Sequence, residues 1–125
     1  ALREDYQEPL PPSYTQAFAR IDSDPNALLL VAKIGDDVAG TLQLNFITYL
    51  TYQGGTRAQI EAVRVAKNHR GKHIGKQLVL HAISLAKDKA CHIVQLTTDK
   101  QRPYALEFYN SLGFVDSHEG MKYHF

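Results

Sequence analysis

TRAQIEAVRVAKNHRGKHIGKQLVLHAISLAKDKA, residues Thr56 to Ala90, is the stretch whose reading decides the fold. Its first third has strand chemistry: Ile60, Val63 and Val65 stand among polar and small residues. Its last part has helix chemistry. Ile74, Leu78, Ala82 and Leu85 follow one stripe, with Val79, Ile83, Ala86 and Ala90 beside it. Gln77, His81, Ser84 and Asp88 form the opposite, polar face. Between the two lies a turn with Gly71 and Gly75, flanked by Arg70, Lys72, His73 and Lys76. A strand entering a helix through such a turn leaves N–H groups unpaired at the helix start. With the positive end of the helix dipole, they favour an anion such as a pyrophosphate.

Arg70-Gly71-Lys72-His73-Ile74-Gly75 resembles motif A of the GNAT-type N-acetyltransferase superfamily, which reads Gln or Arg, two residues, Gly, one residue, then Gly or Ala. His73 stands where the first motif glycine would be. Further on, the run from Ala105 to Phe114, ALEFYNSLGF, resembles the family's second signature, in which Ala and a Tyr four residues later precede Leu-Gly-Phe. The resemblance covers the chain from about Ala27 to its end. It implies an α/β (α+β) fold: a mixed, mostly antiparallel sheet with one central parallel βαβ unit, flanked by helices. It also implies acetyl-CoA as cosubstrate, held at Arg70, Gly71, Lys72, His73, Ile74, Gly75 and Lys76. Such proteins usually open with a strand and a helix that are not evident here, so an N-terminal piece is expected to be missing from this sequence.

Composition sets the outer bounds. A chain of 125 residues suits a single domain, residues 1–125, with room for a real core. A net charge of +1 lends no support to nucleic-acid binding. No apolar run approaches the roughly 20 residues that a membrane span needs. The single cysteine, Cys91, has no internal disulfide partner, which fits a reducing, cytoplasmic compartment.

Along the chain, Pro9, Pro11 and Pro12 are expected to exclude regular structure around them. Ser13 could cap a short helix reaching about Ile21, bordering the acceptor groove or merely covering the sheet. Leu28 to Ile34 reads as a buried strand, Gly35-Asp36-Asp37 as a hairpin turn, and Val38 to about Thr48 as the returning strand. Tyr49 to Gly55 is expected to be a loop whose tyrosines are available to a ligand. His92 to Thr98 is a strand parallel to its predecessor if the helix between is a right-handed crossover. A helix follows from Pro103 to about Leu112, stopped by Gly113. Phe114 to Ser117 and Met121 to Phe125 would be two last strands.

Candidate chemistry falls on few residues. The resemblance gives Tyr109 the role of protonating the leaving thiolate of CoA, a step suited to a phenol of pKa about 10; the alternative is a tyrosine packed beside Phe108 and Phe114. Glu61, on the central strand, could accept the amine's proton. Its ordinary pKa, about 4.3, calls for burial or a water relay, and the alternative is an ion pair with Arg57 or Arg64. The backbone N–H groups around Val63 and Val65 are implied to pair with the pantetheine arm and polarise the thioester carbonyl, where the strand splays from its neighbour. Arg102 holds a position where the family often has Asn; it could reach a phosphate or the acceptor, or be a solvated loop residue. His69 and His73 lack the ligands that would complete a metal site. Cys91-His92 is no nucleophilic dyad, because adjacent strand side chains point to opposite faces.

The leading expectation is an enzyme that moves acetyl from acetyl-CoA to a primary amine by direct attack in a ternary complex. A small-molecule amine is favoured over a protein acceptor. A non-catalytic CoA-binding sensor and a phosphate-binding or structural domain are the alternatives. An exposed sheet edge would permit a homodimer.

Overall fold

The computed structural model describes residues 11–125, so the expectation for Pro9 lies outside the described residues. The described elements are helix α1 (Pro12–Ser23), strands β1 (Ala27–Ile34) and β2 (Asp37–Thr48), a single turn α2 (Thr51–Gly54), strand β3 (Thr56–Val65), a short 3-10 turn (Lys67–His69), helix α3 (Ile74–Asp88), strand β4 (Ile93–Gln95) and helix α4 (Pro103–Ser111). The four strands form one sheet in the order β1-β2-β3-β4, antiparallel except for the β3–β4 pair. The parallel pair bracketing α3 is the βαβ unit that the Thr56–Ala90 stretch predicts.

The core lies between the sheet and α3. Leu42, Leu44, Ala58 and Ile60 from the strands meet Ile74, Leu78, Val79, Ala82 and Ala86 from the helix, all buried. These helix positions recur at three- and four-residue spacing, so one face of α3 is covered along its length. Gly40 lets the helix come this close. A Cβ there would stand 2.9 Å from the Arg64 carbonyl oxygen, 2.9 Å from Ile74 Cγ2 and 3.0 Å from Leu78 Cδ1.

β3 contains an irregularity that its sequence encodes. Gln43 pairs with Glu61, but Thr41 pairs with Arg64, so Ala62 and Val63 together oppose Leu42. Ala62 takes the left-handed conformation, φ 53°. This is a β-bulge, and its extra residue changes which positions face inward. Ala58 and Ile60 are core before it; Val63 and Val65 pack on the core after it.

Several expectations need correction. β1 is an edge strand, not a buried one: Leu28, Leu29, Val31 and Ile34 are 38–49% exposed, since only β2 flanks it among the described residues. α1 begins at Pro12 and runs beyond Ile21 to Ser23, with Pro11 as N-cap and no side-chain cap, so Ser13 does not cap it. Proline is compatible with the first helical position because its missing N–H would have no partner there. β4 is only three residues long. The two last strands do not form: no regular element follows Ser111, because no described strand offers those residues a ladder. Gly113, at φ 99°, does stop α4 as expected.

The loop after β2 also differs in detail. Tyr52 and Gln53 are left-handed, at φ 53° and 60°. Tyr49 and Tyr52 pack around the His92 ring, with centroids 5.4 and 4.5 Å away, and the Tyr49 hydroxyl hydrogen-bonds His92 Nε2. These tyrosines therefore tie the β2–β3 hairpin to the start of β4.

Candidate active site

β3 and β4 pair at Arg57–Ile93, Ala58–Val94 and Gln59–Gln95, and no further. From Ile60 to Val65, β3 keeps β2 on one side and has no strand partner on the other. The sheet thus forks beside the bulge, and two grooves flank the forked strand.

The first groove, ≈ 490 Å³, opens at the start of α3. It is lined by Val65, Arg70, Gly71, His73, Ile74, Gly75 and Lys76, seven of the ten residues expected to hold a cofactor. Among the described residues, no backbone carbonyl accepts an N–H from Gly71 through Lys76; the first such bond in this region is from Gln77 to His73, at 3.1 Å. Six consecutive donors at the N-terminus of a 15-residue helix make a cradle for an anion. His73 occupies the N-cap of α3 at φ 61°, ψ 24°, without a side-chain capping bond. Its backbone has the left-handed geometry that a glycine would take without strain.

Lys72 is not part of the groove lining; its ammonium lies 3.2 Å from His69 Nδ1. His69 is buried, and its Nε2 lies 3.5 Å from Asp37 Oδ2. His69, weighed from the sequence only as a metal ligand, and Phe108, Ser111 and Leu112 also line the groove, although none of them was expected to hold a cofactor. A signal for the last three existed. Phe108 and Ser111 on α4 and Leu112 at its C-cap stand three and four residues apart, so they share a face.

Tyr109, Val63 and Arg102 do not line this groove. Tyr109 is half-buried, its ring edge-on to Phe108 at 5.0 Å and Phe114 at 5.6 Å. Val63 is half-buried against the core beside the bulge. Arg102, at the N-cap of α4, donates from Nε to the Tyr104 hydroxyl at 3.2 Å. That hydrogen bond holds its pKa above the ordinary guanidinium value. Burial pushes the Cys91 thiol up, against a smaller opposing pull from Lys89. His92 is engaged with Tyr49, so the two neighbours form no dyad. Among the described residues, no three of His, Cys, Asp and Glu gather as a metal site, and no helix is long and apolar enough to cross a membrane.

The second groove, ≈ 500 Å³, lies against β2 and β3 at Asn45, Thr48, Gln59 and Glu61, with Asp24 and Asn26 from the link between α1 and β1. Glu61 is exposed and makes no ion pair with Arg57 or Arg64. Arg57 instead stacks over the Tyr49 ring, 4.9 Å from its centroid.

Comparison with known proteins agrees with this geometry. The profile of the acetyltransferase (GNAT) family matches residues 1–114. A crystal structure from Bacillus halodurans C-125, described as a transcriptional regulator, superposes with a TM-score of 0.93 at 56% identity, covering 98% of this chain and 81% of that one. Streptothricin acetyltransferase from Streptomyces lavendulae is 29% identical over 94 residues, 75% of this chain. The chain spans about half of that relative's length, 47%. Aminoalkylphosphonate N-acetyltransferase from Salmonella typhimurium (strain LT2) is 28% identical over 114 residues, 91% of this chain and 70% of that protein.

Proposed function

The chain belongs to the GNAT acetyltransferase family, and from that membership we propose that it transfers acetyl from acetyl-CoA to the primary amine of a small molecule. The observation that carries this reading is the run of N–H groups from Gly71 to Lys76 that no backbone carbonyl among the described residues accepts, opening beside the fork of β3 and β4. The residues fit the cosubstrate. The cradle suits a pyrophosphate, Arg70 and Lys76 bring positive charge to it, and the unpaired side of β3 suits an amide-bearing arm. CoA, when bound, would supply the activated thioester.

Each remaining role falls to a residue already placed. The amine nitrogen attacks the thioester carbonyl carbon and the carbon–sulfur bond breaks. Glu61, being exposed, takes the proton of the incoming ammonium through water. Backbone N–H groups around Val63 and Val65 stabilise the negative charge that develops on the carbonyl oxygen. Tyr109 gives its proton to the departing thiolate and is restored by the second proton, which the nitrogen sheds as the amide forms. Arg102, bonded to the Tyr104 hydroxyl and outside both groove linings, takes no part in these steps.

Saturating CoA is expected to raise the unfolding midpoint by mass action, and a panel of amines with acetyl-CoA should release free thiol. Absence of any CoA-induced shift would remove the proposal. A second reading, a CoA-binding sensor without turnover, is favoured by the description of the Bacillus halodurans relative as a transcriptional regulator. A thermal shift without thiol release from any amine would select it.

A further inference from the structure

The groove beside β2 and β3 has a one-sided charge. Its polar lining is Asp24, Asn26, Asn45, Thr48, Gln59 and Glu61: two carboxylates and, among the described residues, no lysine or arginine. The cation next along that face, Arg57, is held over Tyr49 with its Nε buried, and it does not line the groove.

The amides are also oriented. Gln95 donates to Gln59 Oε1 at 2.6 Å, and Gln43 donates to Asn45 Oδ1 at 2.8 Å. With those oxygens engaged, Gln59 and Asn45 have their NH₂ groups left to offer. Asp24 Oδ1 accepts the Asn26 N–H at 2.8 Å, which fixes that carboxylate at the rim. The wall thus carries negative charge for an ammonium and N–H donors for uncharged oxygen atoms.

Resting on the reading in which Glu61 faces the acceptor amine, we infer that the acceptor is a hydroxyl-rich amine of the amino-sugar class, without a phosphate, phosphonate or other acidic group. Its ammonium is matched by Glu61 and Asp24, and its hydroxyl oxygens by the amide NH₂ groups. An anionic substituent would lose water to sit beside two carboxylates, with no lysine or arginine among the described lining residues to replace the lost solvation, and like charges brought together disfavour the wrong ligand strongly. The phosphonate acceptor named for the Salmonella relative would meet this penalty here.

The test uses pairs that differ in the anion. Thiol release from acetyl-CoA is followed with glucosamine against glucosamine 6-phosphate, and with ethanolamine against 2-aminoethylphosphonate, on wild type and on Asp24→Lys. In wild type, kcat/KM for the member without the anion is expected to exceed that of its partner by at least about tenfold. Asp24→Lys should narrow the gap to about threefold or less while leaving the CoA-induced thermal shift as in wild type. Equal use of both members, preference for the phosphorylated one, or a CoA shift with no turnover of any of the four would overturn the inference. A wild-type protein that does not respond to CoA would instead overturn the functional reading on which it rests.

Discussion

Gln95 Nε2 donates to Gln59 Oε1 at 2.6 Å on the last rung of the β3–β4 ladder. The two side chains clasp the sheet at the point where it divides. Gln95→Ala removes that clasp and should cost about 0.5–1.5 kcal/mol, the usual net worth of one hydrogen bond. Urea unfolding would read this directly. A stability unchanged from wild type would mean that backbone pairing alone closes the fork.

His73 is one of the described residues whose backbone disagrees with its side chain. At φ 61° an L-residue pays roughly 1–2 kcal/mol that glycine does not, although glycine gives back part of it through unfolded-chain entropy. His73→Gly should therefore be neutral to mildly stabilising, with CoA affinity retained or improved. His73→Val should destabilise, because a β-branched residue tolerates this region poorly. A clear loss of CoA affinity in the glycine variant would show that the imidazole itself contacts the ligand.

Gly40 sits where α3 crosses the sheet. Gly40→Ala puts a methyl 2.9 Å from the Arg64 carbonyl oxygen, a backbone atom with little freedom to yield. Overpacking of this kind should cost about 1–3 kcal/mol. Thermal unfolding of this variant within a degree of wild type would mean that the helix can lift away freely.

Tyr109→Phe keeps the ring edge-on to Phe108 and Phe114 and removes only the hydroxyl. Turnover should fall by about 10²–10⁴-fold, with CoA affinity and unfolding midpoint little changed. A purely structural tyrosine predicts the reverse: at most about 1–3 kcal/mol of lost stability and near-normal turnover per folded molecule.

What was legible in the sequence follows from the range of the interactions involved. The βαβ unit was readable because the helical stripe from Ile74 to Ala86 and the turn at Gly71 are local patterns. The hairpin at Gly35 was readable for the same reason, and that glycine is left-handed at φ 60°. The exposure of β1 was not, since an apolar run does not say how many neighbours the strand will have. The last two strands failed on the same ground: β-propensity at Phe114 to Ser117 needs a ladder that only tertiary structure supplies. At the site, the turn with Gly71 and Gly75 that opens α3 was visible as a motif. The charge of the second groove was not, because Asp24, Asn45 and Gln59 are far apart in the chain and meet only across the sheet. The bulge lay between these cases. Apolar positions 58, 60, 63 and 65 break the two-residue period, and the break marks Ala62.

Removing Ala62 on paper leaves Ile60 inward, Glu61 outward, Val63 inward, Arg64 outward and Val65 inward, with no side chain changing faces. As far as the core is concerned, that residue is surplus. It nevertheless holds a left-handed φ of 53°, a conformation with a cost for alanine. A shorter strand would also draw the Gly71–Lys76 cradle back by about 3.3 Å, one strand residue, relative to the fork. The length of β3 is thus a ruler between cradle and fork, one residue longer than packing alone requires.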